Sequence, residues 1–165
     1  GCSWCDSKAS WNIEHNKLID INEIVEKVNK LPVKAVVVTG GEPCKYNLEP
    51  LCNLLKFNNI ETYIETSGAY KLTGKWNWIC LSPKRNSPPL KELLSIANEL
   101  KVIIFDELDF KWAEENKKKV NKSCKLFLQP EWSRYEKNIF KIVDYVKINP
   151  EWNISLQIHK FMHIP

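Results

Sequence analysis

No run in this 165-residue chain approaches the ~18 consecutive apolar residues of a membrane span, so no segment reads as one. No internal repeat, low-complexity linker or second domain stands out. The mixture of 44% hydrophobic and 27% charged residues also excludes long disorder and collagen. What remains is one globular domain, and at this size a fold buries roughly 70% of its unfolded surface, enough for a core and a concave site. The charge of +4 is spread along the chain, and solubilising lysines explain it without a nucleic-acid partner. No signal-peptide pattern is seen, so the six cysteines are not read as disulfides of a secreted protein.

Two of those cysteines, Cys2 and Cys5, form a CxxC. Two thiolates at this spacing can chelate a metal, hold part of an iron–sulfur cluster or form a redox disulfide. The redox reading is weak, because a thioredoxin-like motif opens a helix and Cys5 leads into a polar stretch instead. Cys44, Cys52, Cys80 and Cys124 are isolated in or beside apolar stretches and read as small buried hydrophobes. The sequence begins at Gly1 without a methionine, with the CxxC almost at once, and is read as the remainder of a longer protein whose upstream ligand is out of view.

Downstream, Asp20 and Glu23 open an amphipathic helix that Pro32 ends. Ala35 to Val38 is a continuous apolar run of the kind a strand buried on both faces requires. A helix carrying Leu48, Leu51, Leu54 and Leu55 follows. Further strands are predicted at Glu61–Ile64, Trp78–Leu81, Val102–Phe105, Leu126–Leu128 and Asn153–Ile158. The intervening helices are predicted at Leu90–Asn98, Lys111–Lys119 and Glu136–Lys147. Alternating strand and helix predicts an α/β fold with a mostly parallel sheet, and six strands are too few for a complete eight-stranded barrel, so an open, partial barrel is expected.

Ligands of parallel α/β sheets collect at the carboxyl ends of the strands. Four polar turns fall there: Thr39-Gly40-Gly41-Glu42-Pro43, Glu65-Thr66-Ser67-Gly68, Ser82-Pro83-Lys84 and Gln129-Pro130. Any one of them is explained by turn geometry. Four together with a CxxC point to a site. The glycines of the first allow close backbone approach, and Glu42 stands where its carboxylate can pair with an ammonium. Glu65 admits a purely structural salt-bridge role. In the final predicted strand, alternation places Ser155, Gln157 and His159 on one face, with His159 at its carboxyl end.

GCSWCDSK, VVVTGGEP, IETSG, WICLSPK, NELKVII, FLQP and ISLQIHKFMHIP, in this order along nearly the whole chain, resemble the 7-carboxy-7-deazaguanine synthase family of radical S-adenosylmethionine enzymes. The resemblance implies a single radical S-adenosylmethionine core domain over 1–165, lacking its N-terminal strand and first cluster cysteine. It implies a [4Fe-4S] cluster with Cys2 and Cys5 as the second and third cysteine ligands, S-adenosylmethionine on the open iron, and Mg²⁺ at Ser7. It further implies a lyase of queuosine and 7-deazapurine biosynthesis, which converts 6-carboxy-5,6,7,8-tetrahydropterin to 7-carboxy-7-deazaguanine and ammonia. Hydrogen abstraction by a 5′-deoxyadenosyl radical and ring contraction carry that conversion.

Carried over residue by residue, Trp4, Cys5, Asp6, Gly41, Ser82, Pro83, Lys84, Gln129, Pro130, Glu131 and Trp132 would bind S-adenosylmethionine. Thr39, His159 and Pro165 would bind substrate. A cytoplasmic homodimer reduced by a flavodoxin or ferredoxin is implied, with no direct nucleic-acid or membrane contact. Ser7 replaces a commoner threonine, Glu131 and Cys44 replace commoner apolar residues, and the arginine for the pterin carboxylate would lie before Gly1. The sequence as it stands is therefore expected to be inactive. The other readings are a glycyl-radical activase, against which the SPK turn and the QIHKFMHIP tail weigh, and a non-catalytic fragment that keeps the fold.

Overall fold

Six parallel strands paired in chain order make one open sheet in the computed structural model, which describes Trp4, Cys5, Lys8 and residues 18–164. The strands are β1 (Ala35–Val38), β2 (Glu61–Thr66), β3 (Trp78–Leu81), β4 (Glu99–Ile104), β5 (Lys125–Pro130) and β6 (Trp152–Ile154). The helices are α1 (Ile21–Asn29), α2 (Glu49–Phe57), α3 (Lys91–Ile96), α4 (Leu108–Lys117), α5 (Tyr135–Ile148) and the one-turn α6 (Ile158–Phe161). Strictly sequential order means that every crossover advances in the same direction, and one handedness of crossover then puts the helices on one face. The sheet is a partial barrel, with β1 and β6 as its edge strands among the described residues.

Residue alternation records this one-sided cover. Thr62, Ile64, Thr66, Leu100, Val102, Ile104, Leu126 and Leu128 face the helices and are buried, whereas Tyr63, Glu65, Glu99, Lys101 and Phe127 on the other face are half-buried. The main core lies between β3–β6 and the helices α3–α5, around Leu81, Leu93, Leu100, Leu128, Ile142 and Trp152. A second cluster packs α1 and α2 on β1 through Val25, Leu51, Leu55 and Ile60.

The predicted elements are all present, with four corrections. β1 is not buried on both faces: Val37 is 59% exposed, because helices cover one face only and β1 is an edge. α3 stops at Ile96, and β4 starts at Glu99. Ala97 is already extended, and Asn98 ties the bend to β3, accepting from the Ile79 amide through Oδ1 at 2.8 Å and donating its own amide to the Ile79 carbonyl at 3.0 Å. α4 begins at Leu108 rather than Lys111. There Asp109 accepts the amides of Phe105 and Asp106 at 2.9 and 3.0 Å and so ties the first turn of the helix back to the turn that follows β4. The last strand ends at Ile154, and His159 sits on α6 instead of a strand.

α1 is the simplest local case. The Asp20 side chain accepts the Asn22 amide at 2.7 Å as an N-cap, and Lys27 pairs with Glu23 one turn earlier at 2.8 Å.

Candidate functional site

A cleft of about 570 Å³ opens over the carboxyl ends of the strands. The sheet's curvature brings together turns that are far apart in sequence. The first is Thr39–Glu42, after β1. Gly40 has φ +120°, a backbone region in which a side chain is strained even though space for a Cβ is open. Glu42 does not present a free carboxylate. Oε1 accepts from the Cys44 amide (3.1 Å) and the Thr66 hydroxyl, and Oε2 from the Ser67 amide (2.9 Å) and the Ser67 hydroxyl. Four donors meet the capacity of a carboxylate. The expected pairing with a ligand ammonium is therefore corrected: Glu42 locks the TGGEP turn to the turn after β2. Burial alone would raise its pKa, but the hydrogen bonds from Ser67, Thr66 and Cys44 outweigh it and hold Glu42 below the usual carboxylate value.

The third turn places Lys84 with its Nζ donating to the Ser82 carbonyl (2.8 Å) and hydroxyl (2.7 Å), 5.9 Å from the Trp4 ring centroid. After β5, Gln129 accepts from the Ser155 hydroxyl at 3.1 Å, which ties the β5 turn to the end of β6. Glu131, also buried, caps a one-turn 3₁₀ helix by accepting from the Ser133 amide (3.0 Å) and hydroxyl (2.6 Å). Trp132, Tyr135 and Phe161 pack edge to face and tilted, holding α6 beside this turn.

Of the predicted cofactor residues, Trp4, Cys5, Gly41, Ser82, Lys84, Gln129, Glu131 and Trp132 line the cleft, as do Thr39 and His159 of the predicted substrate residues. Pro83 lines an adjoining recess of about 290 Å³ with Trp4, Lys84 and Trp112. Pro130 is buried at the end of β5 and lines neither. Cys2, Asp6, Ser7 and Pro165 lie outside the described residues. Ser155 and Gln157 line the cleft with His159, so the tail delivers these three polar groups through a strand end and a helical turn rather than through one strand face.

Sequence reasoning did not assign Glu99, Lys101 and Ile103 to the site. They come from the inner face of β4, and the signal was their strict alternation with Leu100, Val102 and Ile104. Glu65 does make the salt bridge considered for it, with Lys101 at 3.0 Å. The four other cysteines are buried as expected. Burial pushes the thiols of Cys44 and Cys124 up to about 11, so they stay protonated and pack as apolar groups.

The lining fits the implied groups in two respects. Cys5 stands half-exposed on the cleft wall, with no pairing to another cysteine among the described residues. Four carboxylates (Glu42, Glu65, Glu99, Glu131) against two ammonium groups (Lys84, Lys101) make the described lining acidic, which suits a sulfonium cation. Among the described residues no three metal-ligating side chains converge. No helix among them is long and apolar enough to cross a membrane.

No family model matches the chain. It is 51% identical over its whole length to a 7-carboxy-7-deazaguanine synthase from Flavobacterium psychrophilum, of which it spans 78%. It is 41% identical over 163 residues to the protein of the same name from Synechocystis, 99% of this chain and 78% of that one. The crystal structure of QueE from Escherichia coli superposes with a TM-score of 0.79 at 27% identity, covering 95% of this chain and 80% of that chain. Sequence identity along the full chain and agreement of the fold thus converge, and the chain belongs to the 7-carboxy-7-deazaguanine synthase family.

Proposed function

We propose that this protein is a radical S-adenosylmethionine lyase that makes 7-carboxy-7-deazaguanine from 6-carboxy-5,6,7,8-tetrahydropterin. One observation carries the proposal: Cys5, the Gly40-Gly41 turn, the Ser82 and Gln129 turns and the tail residues Ser155, Gln157 and His159 all open onto a single cleft. When bound, the cluster and S-adenosylmethionine supply the one-electron chemistry that removes a hydrogen atom from substrate. The chain's own residues do the rest.

Cys2 and Cys5 are the cluster ligands in this reading. Gly41, with its backbone freed by the Gly40 conformation, receives the methionine end of S-adenosylmethionine. Trp4, Asp6, Ser82, Pro83, Lys84, Gln129, Glu131 and Trp132 hold the remainder, while Pro130 supports that turn from within the sheet. Thr39, His159 and Pro165 face substrate, and the hydroxyl of Ser7 is the hard donor suited to Mg²⁺ bound with the pterin carboxylate. Stacking of Trp4 on Phe105 (ring centroids 6.1 Å apart, 19° between planes) holds the residue between the two cysteines against the end of β4. The enzyme works as a cytoplasmic homodimer with a small reductant such as flavodoxin or ferredoxin.

The test uses the protein from the complete gene, reconstituted without oxygen and supplied with a reductant, S-adenosylmethionine and the tetrahydropterin. Mass spectrometry should show 7-carboxy-7-deazaguanine with no protein partner present, which also separates this reading from a glycyl-radical activase. Cys5→Ala should lose the brown cluster absorbance and the product together. Absence of product from an iron-loaded wild type would overturn the assignment.

A further inference from the structure

Glu65, Cys80 and Glu99 stand side by side across the inner face of β2, β3 and β4, since Glu65 pairs in register with Cys80 and Cys80 with Glu99. Lys101 lies one inward position nearer the cleft on β4, and its Nζ reaches past β3 to Glu65 Oε1 at 3.0 Å. The crossing depends on a small residue below it: Cys80 fills the inward position on β3 and donates its thiol to Glu99 Oε1 at 3.3 Å. A larger side chain there would stand in the path of the lysine.

The four carboxylates of the described lining are not equivalent. Glu42 is saturated by four donors, and Glu131 has both oxygens engaged by its cap, one by the Ser133 amide and one by the Ser133 hydroxyl. Glu99 accepts from Cys80 and, through Oε2, from the Trp78 indole at 3.2 Å. Glu65 is engaged by Lys101 on one oxygen and is 43% exposed, so acceptor capacity remains on the cleft side. Lys101 itself is 13% exposed. An ammonium so nearly buried is retained at a desolvation cost that its flanking carboxylates offset.

The geometry points to Lys101 as a positioning residue: its ammonium, reaching across β3, fixes the Glu65 carboxylate in one rotamer with the open oxygen aimed into the cleft. There that oxygen accepts from the N–H donors of the substrate heterocycle. This rests on the proposed function, because it assumes that a nitrogen heterocycle fills this side of the cleft. Lys101 acts through Glu65 rather than on the substrate, and a carboxylate held in advance does not lose its rotamer freedom on binding.

The experiment compares wild type, K101M, K101R, E65Q and the K101M/E65Q double variant of the complete reconstituted protein. It measures KM and kcat for the tetrahydropterin, its Kd by calorimetry, and Tm. Losing a charge-assisted contact of this kind raises Kd and KM roughly 10- to 100-fold. K101M should show that rise with kcat changed much less, K101R should recover most of it, and K101M in the E65Q background should add little further loss. A fall in Tm with unchanged Kd and KM would mean a merely structural pair and overturn the proposal. So would equal effects of K101M in both backgrounds, which would mean that Lys101 acts independently of Glu65. Failure of wild type to make product would instead count against the assigned reaction, so the two failures are distinguishable.

Discussion

Glu42 shows how one side chain serves a site without touching its ligand. Its two oxygens collect donors from the turns after β1 and β2, which fixes the spacing of the backbone at Gly40-Gly41. Glu42→Gln keeps the shape but turns one oxygen into a donor, so the amide of either Cys44 or Ser67 faces another N–H. Stability should fall by about 1–3 kcal/mol, read as a lower Tm. The pH dependence carries a sign as well. The folded pKa of Glu42 lies below its ordinary 4.5, so its contribution is present above that value and lost as pH falls through the lower folded one. The variant's stability should therefore decline less steeply in acid than that of wild type, and an equal decline in both would show that Glu42 does not carry this term.

Among the elements, α4, α5 and β6 meet at one carboxylate. Glu114 accepts from the Tyr145 hydroxyl (2.9 Å), the indole of the buried Trp152 (2.8 Å) and the Lys117 ammonium (3.1 Å). Burial together with the Glu114 hydrogen bond pushes the Tyr145 phenol up to about 12. Glu114→Leu strands the Trp152 N–H inside the core, and chemical denaturation should report a loss of about 2–3 kcal/mol. The phenol titration, followed by ultraviolet absorbance, should move back toward its ordinary value of 10; an unmoved titration would sink this account. The elements differ in how openly the sequence announces them. α5 is legible within one residue at each end, because Ile139, Ile142, Val143 and Val146 keep helical spacing over several turns. β4 hides its first half, since Glu99 and Lys101 look like loop residues to a search for apolar runs, yet they are the polar inner face of a half-open barrel. The turns of the site were legible from their chemistry and the family pattern. The β4 contribution was not, because only the curvature of the sheet carries Glu99, Lys101 and Ile103 beneath turns from other strands.

At the scale of the whole molecule, the charge of the chain and the charge of its cleft have opposite signs. The chain carries +4, whereas the described cleft lining holds four carboxylates and two ammonium groups. At physiological ionic strength the field of distant surface lysines is screened beyond about 8 Å, so a ligand in the cleft responds to the lining and not to the net charge. The relevant difference between S-adenosylmethionine and S-adenosylhomocysteine is one methyl group and one positive charge on sulfur. In a solvated acidic cleft that charge is worth on the order of 1 kcal/mol, or roughly fivefold in affinity. Calorimetry on the reconstituted protein should therefore find S-adenosylmethionine the tighter ligand, with the gap narrowing as salt is raised. Equal affinities at low salt, or a gap indifferent to salt, would mean that the lining does not select for the sulfonium and that shape alone holds the ligand.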